Sequence, residues 1–212
     1  MDKYTVPHMP RSALITIDTQ NDFTLDDAPA FIPGTKEVIS NITRLLDCYR
    51  DKGLLIVHVV RLYRRDGSNA ELCRRHTIEE GKEVVAPGSD GAELVEELKP
   101  NSTVSLDAND LLAGKFQQFG NNEFVMYKPR WGAFYGTRLE GFLKERDRDT
   151  VVFSGCNFPN CPRTSIYQAS ERDFRVVLVT DAISQLYSKG EDEMKNIGVS
   201  LLTTKEIEQH LA

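Results

Sequence analysis

Three reactive side chains follow predicted strands at widely separated positions in the chain. Asp18 ends the apolar run SALITID, Lys128 follows EFVMY, and Cys161 comes a short loop after TVVFSG. Because ligands of open parallel sheets bind beyond the carboxyl ends of the strands, these side chains are placed to meet in one crevice. A thiol, a carboxylate and an ammonium together can attack a carbonyl carbon, with the carboxylate accepting the thiol proton.

Cys161 is the candidate nucleophile because it stands between a predicted strand and a predicted helix. Pro162 occupies a first-turn position, where a missing N–H costs little. The positive end of the helix dipole and the unpaired N–H groups should favour the thiolate and could hold an oxyanion. The structural alternative is a buried apolar thiol.

Asp18 and Lys128 also have structural alternatives. Asp18 could start a turn through local hydrogen bonds, and Lys128 could be a surface lysine that extends along apolar neighbours. Aromatic residues near these positions could wall a pocket for a small flat substrate, although they could equally belong to the core. The predicted pocket residues are Phe23, Trp131, Phe134, Tyr135 and Phe158.

Other chemistries have less support in the sequence. Cys156 and Cys161 are four residues apart, which fits neither a redox C-x-x-C motif nor a zinc ribbon, although a redox pair stays an alternative. The chain has no G-x-S-x-G motif and no phosphate-binding glycine loop, and its four histidines are scattered. We therefore expect neither a metal nor a cofactor.

Composition narrows the class of partner. The chain of 212 residues has 26 basic and 32 acidic residues and no long basic run, which argues against nucleic acid. No apolar run reaches the roughly 18–20 residues that cross a bilayer. The amino-terminal segment lacks the apolar stretch of a secretory signal, so we expect a cytoplasmic protein without a membrane partner, its four cysteines reduced.

Short aliphatic runs alternate with segments of helical periodicity, which predicts an α/β domain with a parallel sheet. We predict strands at 12–18, 54–60, 123–127, 150–155, 175–180 and 198–202. The predicted helices are 35–51, 91–98, 137–146, 161–172, 189–196 and 204–211. Residues 61–90 and 101–122 are predicted as loops or short helices, and the whole chain 1–212 as one domain.

Three segments together resemble the isochorismatase-like cysteine hydrolase superfamily, which includes nicotinamidases, N-carbamoylsarcosine amidohydrolases and ureidoacrylate amidohydrolases. They are ALITIDTQNDF, YKPRWGAFYGTRL and VVFSGCNFPNCPRTSIYQASERDFRVVLVTDAIS, and the likeness covers about residues 12–202. It implies a three-layer α/β/α fold of Rossmann-like topology with a six-stranded, mostly parallel sheet. It also implies a catalytic triad of Asp18, Lys128 and Cys161 that cleaves a non-peptide C–N bond in a small amide, carbamoyl or ureido compound through a thioester.

The resemblance further implies a cis peptide bond between Cys156 and Asn157, with the amides of Asn157 and Cys161 as oxyanion donors, and a dimer or tetramer. The chain departs from some members. Isochorismatases proper lack the nucleophilic cysteine, so Cys161 argues against vinyl-ether hydrolysis. The Asp-x-His metal pattern of nicotinamidases is missing, and Phe158 stands where Thr is frequent.

Two further points stay open. Arg61, Arg130 and Arg163 could each bind a substrate carboxylate or lie at the surface or an interface. A catalytically idle small-molecule-binding protein on the same fold is the alternative to an enzyme.

Overall fold

A computed structural model describes residues 2–212. Its strands are β1 (Ser12–Ile17), β2 (Leu55–Val60), β3 (Gln117–Gly120), β4 (Glu123–Tyr127), β5 (Thr150–Gly155), β6 (Arg175–Ile183) and β7 (Ser200–Leu202). Its α-helices are α1 (Asn21–Thr24), α2 (Thr35–Asp51), α3 (Leu72–Glu79), α4 (Ala108–Leu112), α5 (Leu139–Lys144), α6 (Cys161–Ser170), α7 (Ser188–Asn196) and α8 (Thr204–Leu211). Short 3-10 turns lie at Met9–Arg11, Asp90–Ala92 and Glu96–Leu98.

The strands form one sheet in the order β3-β4-β2-β1-β5-β6-β7. All neighbouring pairs are parallel except β3 with β4. The predicted α/β class is confirmed, but the sheet has seven strands where six were predicted. The additional strand is β3, whose sequence QQFG is short and polar because it forms the sheet edge.

The sheet is covered on both faces, as its apolar strands predict. Every residue of β1, β2 and β5 is buried. In β1, Leu14 packs with α2 and α8, whereas Ile15 and Ile17 join the core under α5, α6 and α7. Because successive side chains of a strand point to opposite faces, one short run supplies both cores.

The predicted helix over 91–98 is wrong, since this segment forms two 3-10 turns separated by extended backbone. The amide of Asn21 donates to the carbonyl of Glu93, and the amide of Val95 donates to the carbonyl of Thr19. These bonds tie the segment to the chain that follows β1, so its backbone groups are not free to form a continuous helix.

The strand order reverses beside β1, since β2 pairs with one edge of β1 and β5 with the other. This is where an open parallel sheet leaves a crevice at its carboxyl ends. Across residues 2–212, the structure contains no helix with the length and apolarity needed to span a membrane.

Candidate active site

The side chains of Asp18, Lys128 and Cys161 meet at this crevice. Lys128 Nζ lies 2.8 Å from Asp18 Oδ2 and 3.3 Å from Cys161 Sγ. Lys128 is fully buried, while Asp18 and Cys161 are 5% and 6% exposed. The ammonium therefore contacts both the carboxylate and the sulfur in a site that is largely closed to water.

Backbone hydrogen bonds hold Asp18 and Lys128 just beyond their strands. The amide of Asp18 donates to the carbonyl of Val59 at 2.9 Å, and the amide of Lys128 donates to the carbonyl of Val60 at 3.0 Å. Both acceptors belong to β2, which lies between β1 and β4. One central strand therefore sets the position of the carboxylate relative to the ammonium.

Asp18 has an unusual backbone and an unusual carboxylate. Its φ is 51°, in the left-handed region that non-glycine residues rarely adopt and that costs on the order of 1–3 kcal/mol. Its Oδ1 is buried and accepts no hydrogen bond from the residues that the structure describes. A buried carboxylate oxygen without a donor is available to take a proton from a nearby group.

Gly155 brings the loop that follows β5 to the end of β1. Its φ is +111°, and an added Cβ would lie 2.3 Å from the carbonyl oxygen of Ile17. The amide of Cys156 then donates to that carbonyl at 2.8 Å. Only glycine allows this close approach, which places the loop carrying Cys156 and Cys161 beside Asp18.

The expected cis peptide bond between Cys156 and Asn157 is not found, and every peptide bond described in residues 2–212 is trans. The loop is oriented instead by backbone hydrogen bonds on both sides of Asn157. The amide of Cys156 bonds to Ile17, and the amide of Phe158 donates to the carbonyl of Ser184 at 2.9 Å. These bonds satisfy the loop backbone in the trans form.

The start of α6 supplies backbone donors near the sulfur. Asn160 provides no side-chain cap, and Pro162 has no N–H to offer. The amide of Arg163 donates to the carbonyl of Phe158, whereas the amides of Asn157 and Cys161 have no acceptor within the described part of the chain. These two amides are therefore free to bind an oxygen that becomes negatively charged.

Burial sets the resting protonation state of Cys161. It raises the pKa of the thiol, and with the nearby Asp18 charge it brings the pKa to about 12 although Lys128 opposes the change. The expectation that the helix end favours the thiolate is therefore wrong for the resting protein, because loss of solvent outweighs it. Cys161 is a thiol at neutral pH, and its proton must be transferred during a reaction.

A small cavity opens onto these groups, with about 20 Å³ of room for the centres of water-sized atoms. Such a volume holds about one water molecule. The cavity is lined by Asp18, Phe23, Ile32, Arg61, Tyr63, Arg74, Trp131, Cys156, Asn157, Asn160 and Cys161. Only a narrow group can reach the sulfur unless side chains at the mouth move.

Two of the five predicted pocket aromatics, Phe23 and Trp131, line this cavity. The pocket prediction is wrong for the other three. Phe134 packs in the core with its ring 5.8 Å from that of Phe174, and Phe158 is fully buried with its ring 5.5 Å from that of Tyr187. Tyr135 is 58% exposed at the surface.

A buried polar network that the sequence did not reveal lies behind the cavity. Arg61 donates to the carbonyl of Lys128 at 2.9 Å and pairs with Glu71, which also accepts a hydrogen bond from Tyr63 at 2.8 Å. Glu71 lies ten residues along the chain from Arg61, in a segment predicted as loop, and no motif marks it. The network supports the backbone that carries Lys128.

The arginines considered for a substrate carboxylate are engaged elsewhere. Arg61 is committed to Glu71, and Arg163 is committed to Tyr187 and Glu193. Arg130 donates to backbone carbonyl groups. No three His, Cys, Asp or Glu side chains in residues 2–212 converge as metal ligands, so we derive no step through a metal.

Comparison with known proteins places this geometry in a family. The Isochorismatase domain family matches residues 12–108 and 107–206. A protein of Arabidopsis thaliana named probable inactive nicotinamidase is 32% identical over 209 residues, covering 95% of this chain and 96% of that protein. The N-carbamoylsarcosine amidase of Arthrobacter sp is 27% identical over 82% of this chain, which spans 59% of that relative's length.

A solved structure shows the same fold. The crystal structure of an isochorismatase family protein from Desulfovibrio vulgaris subsp. vulgaris str. Hildenborough superposes with a TM-score of 0.80 at 34% identity. The match covers 95% of this chain and 98% of that one. The protein therefore belongs to the isochorismatase family, and the predicted resemblance is confirmed. Relatives in this family include amidases that act on small molecules.

Proposed function

We propose that this protein is a hydrolase that cleaves a non-peptide C–N bond in a small amide, carbamoyl or ureido compound through a thioester on Cys161. The observation that carries the proposal is the buried contact of Lys128 Nζ with Asp18 Oδ2 and Cys161 Sγ, at 2.8 and 3.3 Å. Family membership adds support because amidases occur among the relatives.

The first half of the reaction forms the thioester. Asp18 takes the thiol proton of Cys161 while the sulfur attacks the carbonyl carbon, and the amides of Asn157 and Cys161 bind the resulting oxyanion. The protonated Asp18 then gives its proton to the nitrogen as the C–N bond breaks. Ammonia or an amine leaves, and the acyl group stays on the sulfur.

The second half hydrolyses the thioester. Asp18 removes a proton from a water molecule, whose oxygen attacks the acyl carbon and forms a second oxyanion on the same amides. As this intermediate collapses the C–S bond breaks, the sulfur leaves as a thiolate, and Asp18 returns the proton to it. The products are a carboxylic acid and the enzyme in its starting state. Lys128 remains charged throughout and contacts both groups between which the proton moves.

The test is a hydrolysis screen over nicotinamide, ureido acids, carbamoyl amino acids and simple amides, scored by ammonia release. Cys161→Ala should lower turnover at least about a thousandfold on any substrate found, because members of a cooperating triad fail together. Cys48→Ala is the matched control, since Cys48 is a free thiol on α2 outside the cavity. A transient adduct of acyl mass on the wild-type protein, missing from Cys161→Ala, would identify the thioester. Full turnover by Cys161→Ala would refute the mechanism.

A catalytically idle binding protein is the second candidate, favoured by the name probable inactive nicotinamidase of the Arabidopsis relative. Thiol alkylation does not separate the two candidates, because Cys73 is exposed whereas Cys161 is buried with a pKa raised to about 12. Ligand binding without ammonia release and without an acyl adduct, over the whole screen, would support the idle protein.

We also propose that the chain acts in the cytoplasm as a homo-oligomer, either a dimer or a tetramer. All four cysteines are free, which suits a reducing compartment. Large apolar side chains exposed at Leu72 and Tyr135 are candidates for burial between subunits. Light scattering after size-exclusion chromatography tests the assembly, and a mass near 24 kDa would refute it.

A further inference from the structure

Arg74 is a cavity residue that the proposed chemistry does not use. It lies on α3, lines the cavity together with Trp131, and is half-buried. Its backbone amide donates to the carbonyl of Glu71, but its guanidinium makes no hydrogen bond and no ion pair with any side chain or carbonyl of residues 2–212. A partly desolvated guanidinium with five unused donors favours an anionic partner.

The charges around the cavity leave this cation unbalanced. Asp18 is paired with Lys128, and Glu71 is paired with Arg61. Cys161 is a neutral thiol in the resting protein, because burial raises its pKa to about 12. Arg74 therefore supplies a net positive charge at a cavity whose other lining residues are neutral or paired.

The backbone of Arg74 is tied to the catalytic groups. Glu71, which precedes α3, is buried and bonded to Arg61 and Tyr63, and Arg61 in turn donates to the carbonyl of Lys128. One network thus fixes both the strand end that carries Lys128 and the start of the helix that carries Arg74. The side chain beyond this fixed backbone is free to reorient when a ligand enters.

We propose that Arg74 binds a carboxylate of the substrate, so that the substrate is a small amide, carbamoyl or ureido compound that also bears a carboxylate. This inference deepens the proposed hydrolysis and rests on it for the reacting end of the substrate. A carboxylate matches the planar fork of guanidinium with two parallel hydrogen bonds. It is also narrow enough for a cavity walled on one side by the flat ring of Trp131.

The first test compares amides that differ only in the carboxylate. Succinamate is paired with butyramide, and N-carbamoylglycine with N-ethylurea, and ammonia release is measured for each. The wild-type protein should prefer the anionic member of each pair by roughly 10- to 100-fold in kcat/KM. Arg74→Ala should abolish this preference by raising KM for the anion while kcat and the neutral compounds stay within about threefold.

Arg64→Ala is the matched control, because Arg64 is exposed, lies outside the cavity and carries the same charge. It should keep the preference for the anion. A wild-type preference for neutral amides, or an equal effect of Arg74→Ala on both members of a pair, would overturn the carboxylate site and leave the hydrolysis standing.

The second test does not depend on turnover. Succinate binding to the wild-type protein is measured by titration calorimetry, with succinamide as the neutral comparison. Arg74→Ala should weaken succinate binding at least about tenfold and leave unfolding by urea unchanged, while Arg64→Ala leaves both unchanged. Succinate binding that depends on Arg74, without ammonia from any compound, would refute hydrolysis and keep the site. Undetectable succinate binding to the wild type would overturn the site.

Discussion

Replacing Asp18 by Asn should change turnover and thiol reactivity in opposite directions. The substitution removes the proton acceptor, so hydrolysis should fall by about 10²–10⁴-fold, the usual contribution of a general base. It also removes a negative charge that raises the pKa of Cys161. The thiol should therefore ionise more easily and react faster with an alkylating reagent, although the enzyme is less active.

The size of the effect on Cys161 follows from the contacts of Lys128. Its Nζ lies 2.8 Å from Asp18 Oδ2 and 3.3 Å from Cys161 Sγ, so the oxygen and the sulfur are at most about 6 Å apart. At an effective dielectric constant of 20, two unit charges at that distance repel by about 3 kcal/mol, which equals about two pKa units. The pKa of Cys161 should fall from about 12 to about 10.

The rate of alkylation changes less than the thiolate population. Two pKa units raise the thiolate fraction near pH 8 by about 100-fold, but a less basic thiolate is a weaker nucleophile, by about tenfold for a Brønsted coefficient of 0.4–0.5. The net expectation is about tenfold faster modification. Iodoacetamide labelling of the Cys161 peptide is followed by mass spectrometry, with the exposed Cys73 peptide as an internal reference.

Asp22→Asn is the matched control for this experiment. Asp22 is a buried carboxylate outside the cavity, and burial raises its pKa, so loss of its charge is tolerated there. Asn also accepts the left-handed backbone of Asp18, which keeps the geometry comparable. If Asp18→Asn slowed the labelling of Cys161, or left its rate equal to that of the control, the inferred repulsion between carboxylate and thiolate would be refuted.

Two stability predictions concern the sheet. Burial alone would raise the pKa of Glu123, but hydrogen bonds from Arg50 and His58 lower it to about 2, so its stabilisation is complete above about pH 4.5 and is lost as pH falls towards 2. Glu123→Gln should lower the free energy of unfolding at pH 7 by up to about 3 kcal/mol, with a smaller loss at pH 3, measured by urea denaturation. Gly155→Ala should cost roughly 3 kcal/mol or more, since its Cβ would lie 2.3 Å from a backbone oxygen of Ile17.

Each stability prediction has a control in the same chain. Glu83→Gln removes a carboxylate from an exposed pair with Arg65 and should change stability by at most about 1 kcal/mol. Gly141→Ala adds a Cβ on α5 with no atom within 4 Å and should be neutral or slightly stabilising. A pH-independent loss in Glu123→Gln, or a Gly155→Ala protein as stable as Gly141→Ala, would contradict the assigned causes.

The central strands and the longest helix were predictable because their patterns are local. Five of the buried strands are uninterrupted aliphatic runs, and helix α2 has the predicted limits of Thr35 and Asp51. The edge strand β3 was missed because its polar residues QQFG carry no apolar signal. Segment 91–98 was misread because its apolar spacing suits a helix, whereas its backbone is bonded to the chain after β1.

The limits of prediction at the site have a similar cause. Asp18, Lys128 and Cys161 were found because each one follows its strand, and the topology of a parallel sheet brings such positions together. Arg74 and Glu71 were missed because nothing in residues 61–90 shows which side chains turn inward. Phe134 and Phe158 were assigned to the pocket although they pack in the core, since an aromatic side chain has the same sequence signal in either place.

The position of Lys128 explains how a buried thiol with a pKa of about 12 can be a nucleophile at neutral pH. Burial penalises ionisation because it creates a new charge away from water. Transfer of the proton from Cys161 to Asp18 creates none, since the negative charge only moves from oxygen to sulfur. Nζ of Lys128 contacts both atoms, at 2.8 and 3.3 Å, so the site holds one cation and one anion before and after the transfer. The cost of ionising the thiol alone therefore does not apply to the reaction, and the cation between the two groups is what removes it.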